Sequence, residues 1–260
     1  MKRCISNEEI EVLCEALIKS FLRKLNYGPA HCIDIDGFIT EYLGATIQYE
    51  AFAEFDRRKL GFLSDGKEPL RIVRNGKIDS PVFPKNTIVI EKYLLTPCEC
   101  ARRRFTAAHE AGHLILQRYC SLESQASFYR EFDSSPEYEK IKMKEIYDIN
   151  EKYANRAAAC LLMPGYLMAQ LLREQNFGRP IAVYNRVLAM REKFLIQKMA
   201  DLVGVSSTSF FNRLKELNLL DRRPIEEYVK EKILTEEQNG KGIPSGRGDT
   251  ETAGSFKGEI

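Results

Sequence analysis

Two histidines four residues apart constrain the structure of this chain more than any other feature. His109 and His113 stand in the pattern His-Glu-x-x-His. On an α-helix, residues i and i+4 lie on one face, so both imidazoles can bind the same metal ion if this segment is helical. Glu110 would then lie at the edge of that face, where its carboxylate can take a proton from water without being a ligand. A zinc peptidase needs this combination of residues.

The surrounding residues predict such a helix. Thr96, Pro97 and Glu99 have the spacing of a capping box, with Thr96 as the N-cap and Pro97 at the first helical position. No further proline follows before about Arg118, where we expect the helix to end. Gly112 is the only glycine in the segment, and its missing side chain would let another element pack closely. Apolar residues recur at helical spacing: Phe105, Ala108, Gly112, Ile115 and Leu116.

Composition limits the class of protein rather than its activity. The 260 residues are 44% hydrophobic and 29% charged, which is typical of a globular chain with enough apolar material for a large core. A net charge of +2 argues neither for nor against a nucleic-acid partner. No run approaches the roughly 18 apolar residues of a membrane span, and the N-terminus has an amphipathic pattern instead of a signal-peptide core. We therefore expect a cytoplasmic protein.

The seven cysteines are scattered along the chain and odd in number. This pattern favours free thiols in a reducing compartment over a disulfide framework. Cys98 and Cys100 lack an accompanying Cys-x-x-Cys pair, so a structural zinc site there has little support.

The order of patterns before residue 120 predicts an α+β fold. An amphipathic helix opens at Asn7, and a short helix follows that ends at Gly44. A small sheet of three or four strands then precedes the His-Glu-x-x-His helix, with turn signals between the strands. Four segments are rich in β-forming residues: 45–52, 59–63, 70–73 and 87–90.

The sequence patterns in the second half of the chain predict mainly helices. After a polar loop at 121–135, a second long helix should end before Pro164, followed by a short helix at about 166–174. A last helical region covers 184–219, and the composition from about residue 236 is that of a disordered tail.

A catalytic zinc ion needs a third protein ligand from elsewhere in the chain. His31 is the only other histidine, and Glu151 on the predicted second helix is the better candidate. Asn155 lies four residues after Glu151, on the same face, where its side chain can hydrogen-bond the far nitrogen of a ligand histidine. Glu145 and Asp148 lie nearby, so spacing alone leaves these acids open as well.

Two sequence blocks occur together and in order. The first is Arg-Phe-Thr-Ala-Ala-His-Glu-Ala-Gly-His at 104–113, and the second is Glu-x-x-Ala-Asn-x-x-Ala-Ala-x-Leu-Leu-Met-Pro at 151–164. A third block, at 200–220, contains Ala-Asp-Leu-Val-Gly-Val-Ser and later Arg-Leu-Lys-Glu-Leu-Asn-Leu-Leu. With these blocks, the chain resembles the ImmA/IrrE family of metallo-endopeptidases over roughly residues 30–220.

This resemblance implies a zincin-like α+β fold in which Zn²⁺ is bound by His109, His113 and Glu151. Glu110 would be the general base, with Asn155 beside a ligand histidine. The resemblance also implies a protein substrate, because family members cleave phage-type repressors that carry helix-turn-helix domains. Such cleavage switches on mobile-element or stress genes.

Two positions depart from the family pattern. Tyr153 stands where a second glutamate is common, and Ala157 stands where phenylalanine is common. Neither change removes a proposed ligand. Many zinc peptidases also use a second oxyanion donor, for which Tyr153, Tyr119 and His31 are the candidates.

These patterns predict four segments along the chain. They are an N-terminal helix at 1–30, a zinc metallopeptidase core at 31–180, a helix-turn-helix-like region at 181–222 and a charged, largely disordered tail at 223–260.

The helix-turn-helix-like region supports an alternative function, that of a DNA-binding regulator. Its candidate recognition helix, at 207–217, offers only Arg213 and Lys215 as basic residues, fewer than phosphate contact normally requires. A second alternative is a catalytically silent metal-binding protein that acts as an interaction partner. The intact pattern argues against it, because such a site has no chemical need for Glu110.

Overall fold

The computed structural model describes residues 5–24, 31–54, 58–120, 127–130 and 142–230, without the side chains of 127–130 and 142–148. Helices and a small sheet are mixed within these ranges, so the chain has the predicted α+β fold. It divides into two compact units, Met1–Ile181 with Met190–Leu220 and Ala182–Ala189 with Asp221–Ile260. The four segments expected from the sequence stay a prediction.

Helices dominate the first unit. The described residues contain α1 (Asn7–Lys24), α2 (Ile35–Gly37), α3 (Cys100–Cys120), α4 (Lys142–Leu162), α5 (Gly165–Asn176), α6 (Met190–Val203) and α7 (Ser207–Glu216). A π-helical turn at Phe38–Tyr42 continues α2, and Gly44 follows with a φ of +63°. The predicted start of α4, near residue 135, falls outside the described residues. Among the described helices, none is both long and apolar enough to cross a membrane.

The larger sheet has six strands in the order β4-β3-β1-β5-β2-β6. The strands are β1 (Thr46–Phe52), β2 (Lys59–Leu63), β3 (Ile72–Arg74), β4 (Lys77–Asp79), β5 (Thr87–Glu91) and β6 (Ser127–Arg130). β1 pairs with β5 in parallel, and the other neighbours are antiparallel.

The sequence predicted too few strands. β3 and β4 form a hairpin across Asn75 and Gly76, whose φ angles of 51° and 73° suit a tight two-residue turn. The turn was predicted, but the short and exposed β4 was not. β6 lies within the segment that we expected to be a polar loop, because its backbone pairing with β2 is a long-range contact that local composition does not reveal.

A second, two-stranded sheet consists of β7 (Ile181–Tyr184) and β8 (Leu220–Arg223). The expected helical region at 184–219 therefore begins later, at Met190, and contains two helices. Within the second unit, the rings of Tyr184 and Tyr228 lie 5.2 Å apart.

Thr96 is the N-cap and Pro97 lies at the start of a helical turn, as predicted, but the predicted capping box does not form. The Thr96 hydroxyl donates a hydrogen bond of 2.9 Å to the backbone carbonyl of Tyr93 and caps no N–H group. Pro97–Glu99 form a 3₁₀ turn before α3 begins. A capping box forms instead at the start of α1, where Ser6 Oγ accepts from the Glu9 N–H at 3.1 Å and Glu9 Oε2 accepts from the Ser6 N–H at 2.9 Å.

α3 and α4 approach each other closely at Gly112. A Cβ atom at this position would lie 3.0 Å from the Ala154 carbonyl oxygen and 3.0 Å from Ala157 Cβ. Side chains rarely pack so tightly, so the missing side chain of Gly112 allows the approach, as predicted. The departure at Ala157 contributes a second small residue to the same contact.

A charge cluster centred on the buried Arg213 joins α7 to the rest of the first unit. Arg213 is fully buried, and its guanidinium donates to the Met163 carbonyl at 2.8 Å. It also pairs with Glu11 on α1 and with Glu216 at 3.2 Å. Arg156 on α4 completes the cluster with contacts to Glu11 at 3.2 Å and Glu216 at 2.8 Å. One of the two basic residues considered for DNA contact is therefore committed to intramolecular pairing.

The cysteines within the described ranges are all free thiols. Cys14 and Cys160 are buried, and Cys160 Sγ donates to Glu11 Oε2 at 3.0 Å. Burial raises the pKa of Cys160 to about 12, so this thiol stays protonated at neutral pH.

We predict that Arg213→Met lowers the free energy of unfolding by about 3 kcal/mol, because the Met163 carbonyl and one oxygen of the partly buried Glu11 lose their charged donor. Arg213→Lys should recover little of this loss, since an ammonium group cannot reproduce the planar arrangement of donors. Urea unfolding of the purified protein measures both changes. The exposed Lys215 on the same helix provides the control, and Lys215→Met should stay within about 0.5 kcal/mol of the wild type. Equal stability of Arg213→Met and Lys215→Met would contradict this role for Arg213.

Candidate metal centre

Three side chains from α3 and α4 meet at one point. His109 Nε2 lies 3.0 Å from His113 Nε2. One oxygen of Glu151 lies 3.1 Å from His109 Nε2, and the other lies 3.3 Å from His113 Nε2. Among the described residues, this is the one group of three or more metal-capable side chains. The alternative acids Glu145 and Asp148 have side chains outside the described residues.

Asn155 orients the ring of His109. Its Oδ1 lies 3.0 Å from His109 Nδ1. An amide oxygen only accepts hydrogen bonds, so a neutral imidazole donates here from Nδ1 and keeps its lone pair on Nε2. Because Nε2 is the atom that faces Glu151, the contact leaves the correct nitrogen available for a metal ion.

The protonation states of these groups suit metal binding. Burial lowers the pKa of His109 to about 4, so its imidazole is neutral at neutral pH. Burial alone would raise the pKa of Glu151, but its close contacts with His109 and His113 outweigh burial and lower this pKa to about 2. A neutral imidazole and an ionised carboxylate are the forms in which these residues bind a metal.

The donor set fits a zinc ion. Tetrahedral zinc, with bonds of about 2.0–2.2 Å to nitrogen and oxygen, separates neighbouring donor atoms by about 3.3 Å. The separations between donor atoms here are 3.0, 3.1 and 3.3 Å. Lone pairs directed at one point repel one another unless a positive charge lies between them. Two histidines and one glutamate are also a known ligand set of catalytic zinc, which keeps one position for water.

Glu110 follows the ligand His109 in the sequence and does not belong to the ligand group. Its side chain is fully buried and lies against β2, where a Cβ atom on Gly61 would be 2.6 Å from Glu110 Oε1. The carboxylate is thus held between α3 and the sheet. His109, one residue earlier, faces the ligand group.

The three candidate oxyanion donors occupy different places. His31 Nε2 pairs with Glu174 Oε2 on α5 at 3.3 Å. Tyr119 is 55% exposed near the end of α3. Tyr153 is half-buried on α4, two residues after Glu151. None of them belongs to the ligand group, and the oxyanion donor stays a prediction.

Two residues next to Glu110 were not predicted as part of a site. Gly61 lies in the middle of β2, and the fully buried Thr106 lies one helical turn before Glu110. Both left a signal in the sequence, because an isolated glycine in a strand indicates a close approach and positions i and i+4 share a helix face. The group that approaches Gly61 depends on how α3 packs against the sheet, which local patterns do not specify.

Comparison with models of protein families gives one match. The family model described as the IrrE N-terminal-like domain, Peptidase_M78, matches residues 40–206. This range covers more than half of the chain and includes the whole ligand group. A comparison with curated proteins gave no match.

We predict about one zinc ion per chain in the wild type and a clear loss in Glu151→Ala, because two imidazoles alone hold zinc weakly. Asn155→Ala should retain the site but weaken zinc affinity by about 10- to 100-fold, since His109 loses its orienting contact. Elemental analysis and competition with a zinc chelator measure the two effects. Lys152→Ala, an exposed change on the same helix, is the control. Full zinc content in Glu151→Ala would show that another residue is the third ligand.

Proposed function

This chain belongs to the IrrE N-terminal-like peptidase family, Peptidase_M78, and we propose that it is a zinc-dependent endopeptidase that cleaves a specific protein substrate. One observation carries the proposal: the donor atoms of His109, His113 and Glu151 lie within 4.8 Å of one another. The buried Glu110 lies next to them in sequence and outside the ligand group. Two imidazoles, one carboxylate ligand and a separate carboxylate are the parts that metal-assisted peptide hydrolysis needs.

Each residue then has a distinct chemical task. Zinc, when bound, supplies a Lewis acid that lowers the pKa of water and polarises a peptide carbonyl. Glu110 accepts the proton of the attacking water and passes it to the nitrogen of the leaving amine. Asn155 keeps His109 in the tautomer that binds through Nε2. Tyr153, Tyr119 and His31 remain the candidates for a second donor to the developing oxyanion.

We further propose that the substrate is a repressor with a helix-turn-helix domain, whose cleavage derepresses mobile-element or stress genes. Support for this step comes from the resemblance of three sequence blocks to the ImmA/IrrE family. DNA binding by the chain itself has less support, because the buried Arg213 contacts Met163, Glu11 and Glu216. A direct role on DNA would therefore depend on other basic residues.

We predict that Glu110→Gln keeps about one zinc ion per chain and loses cleavage by a factor of about 10² to 10⁴, the usual contribution of a general base. Wild type and variant would each be incubated with a cell lysate, followed by mass spectrometry of new protein N-termini. New termini within a helix-turn-helix repressor should appear with the wild type alone. Glu41→Gln, the same chemical change at an exposed position, should behave as wild type. Undiminished cleavage by Glu110→Gln would refute the assignment of the general base.

A further inference from the structure

Gly61 leaves a space on β2 that the carboxylate of Glu110 occupies. A Cβ atom at position 61 would lie 2.6 Å from Glu110 Oε1, 3.0 Å from Glu110 Cγ and 2.8 Å from Thr106 Cγ2. Gly61 is not among the glycines with positive φ in the described residues, so its backbone conformation does not require glycine. The requirement is one of space, and the group that fills the space is the proposed general base.

Thr106 borders the same space from one helical turn before Glu110. Its side chain is fully buried, and its hydroxyl has no hydrogen-bond partner within the described part of the chain. Buried hydroxyl groups nearly always have a partner, either a protein group or an ordered water. A hydroxyl group can donate a hydrogen bond to an ionised carboxylate, which only accepts, and the carboxylate of Glu110 borders the same space. Glu110 lies on the same helix face, because the two residues are four positions apart.

We propose that Gly61 and Thr106 are positioning residues that hold Glu110 in the orientation required of a general base. Gly61 does so by leaving room for the carboxylate against β2. Thr106 does so by donating a hydrogen bond to that carboxylate through one water molecule. The inference rests on the proposed function, since it assigns these residues to the same reaction.

The geometry separates this role from ordinary packing. The atom closest to a Cβ at Gly61 is the far end of the flexible Glu110 side chain, so Gly61→Ala can fold if the Glu110 carboxylate moves and the Thr106 methyl group shifts slightly. Glu110 is fully buried, so a displaced carboxylate would remain inside the protein. The substitution should therefore change where the carboxylate points more than it changes the strand.

The kinetic experiment compares Gly61→Ala, Thr106→Val and Thr106→Ser on the substrate that the wild type cleaves. Gly61→Ala should lose about 10²-fold in kcat, the effect of misplacing a catalytic group by about 1 Å, with KM and zinc content unchanged. Thr106→Val removes the hydroxyl at nearly constant shape and should lose about 10-fold in kcat, at the low end of the contribution of one positioned group. Thr106→Ser restores the hydroxyl and should restore kcat, which a purely structural role would not predict.

Phe62→Leu is the matched control on the same strand. Phe62 belongs to a buried apolar cluster with Leu70, Ile72, Phe83 and Val89, so the substitution perturbs β2 without adding an atom near Glu110. It should lower stability and leave kcat unchanged. If Gly61→Ala fails to fold, the contrast between Thr106→Val and Thr106→Ser still tests the hydroxyl.

A readout without peptide turnover separates this inference from the proposed function. Acetohydroxamate binds zinc through its two oxygens and can donate a hydrogen bond to a neighbouring carboxylate, so calorimetry on the zinc-loaded protein reports where Glu110 points. Gly61→Ala and Glu110→Gln should weaken its binding by a similar factor, and Phe62→Leu should not. If this result appears but the wild type cleaves no substrate, the proposed function fails and the positioning role stands. If the wild type cleaves its substrate and Gly61→Ala matches it in kcat and acetohydroxamate affinity, the positioning role of Gly61 is wrong.

Discussion

The close approach of α3 and α4 is the constraint on which the candidate metal centre depends. Two histidines at i and i+4 share a helix face through local geometry alone, but a third ligand must come from another helix. At Gly112 a Cβ atom would lie 3.0 Å from both Ala154 O and Ala157 Cβ. This contact sets the distance between the helices, and Glu151 lies one helical turn before it along α4. The carboxylate consequently reaches both imidazoles.

α4 is held from a second direction by charged residues. Arg156, one position after the orienting Asn155, pairs with Glu11 and Glu216. The buried Arg213 of α7 shares both carboxylates and also donates to the backbone at Met163. α1 and α7 thereby fix the helix that carries the third ligand. α7 thus contributes to the framework of the first unit. Residues that resemble a DNA-reading motif therefore have a structural role here.

Local patterns predicted the parts of the site that local geometry determines. His109, Glu110 and His113 follow from one helix, and the close packing at Gly112 follows from its missing side chain. Glu151 was one of several acids by spacing alone, and the resemblance to a family favoured it because that information includes long-range packing. The structure then brings its carboxylate to the two imidazoles.

Features that depend on distant contacts were missed. β6 is recognisable only through its pairing with β2. One local prediction also failed, because the Thr96 hydroxyl donates to the carbonyl of Tyr93, three residues earlier, and forms no capping box. The sequence shows Gly61 as an isolated glycine in a strand, but it does not indicate that the Glu110 side chain packs against it.

X-ray absorption at the zinc edge of the purified full-length protein tests the central claim most directly. The claim is that His109, His113 and Glu151 hold the ion, so the spectrum should show nitrogen and oxygen neighbours at about 2.0–2.2 Å, with the multiple scattering of two imidazole rings. The chain also contains seven cysteines, which would bind zinc through sulfur. Sulfur neighbours at about 2.3 Å, or a spectrum without imidazole scattering, would place the metal elsewhere and contradict the account.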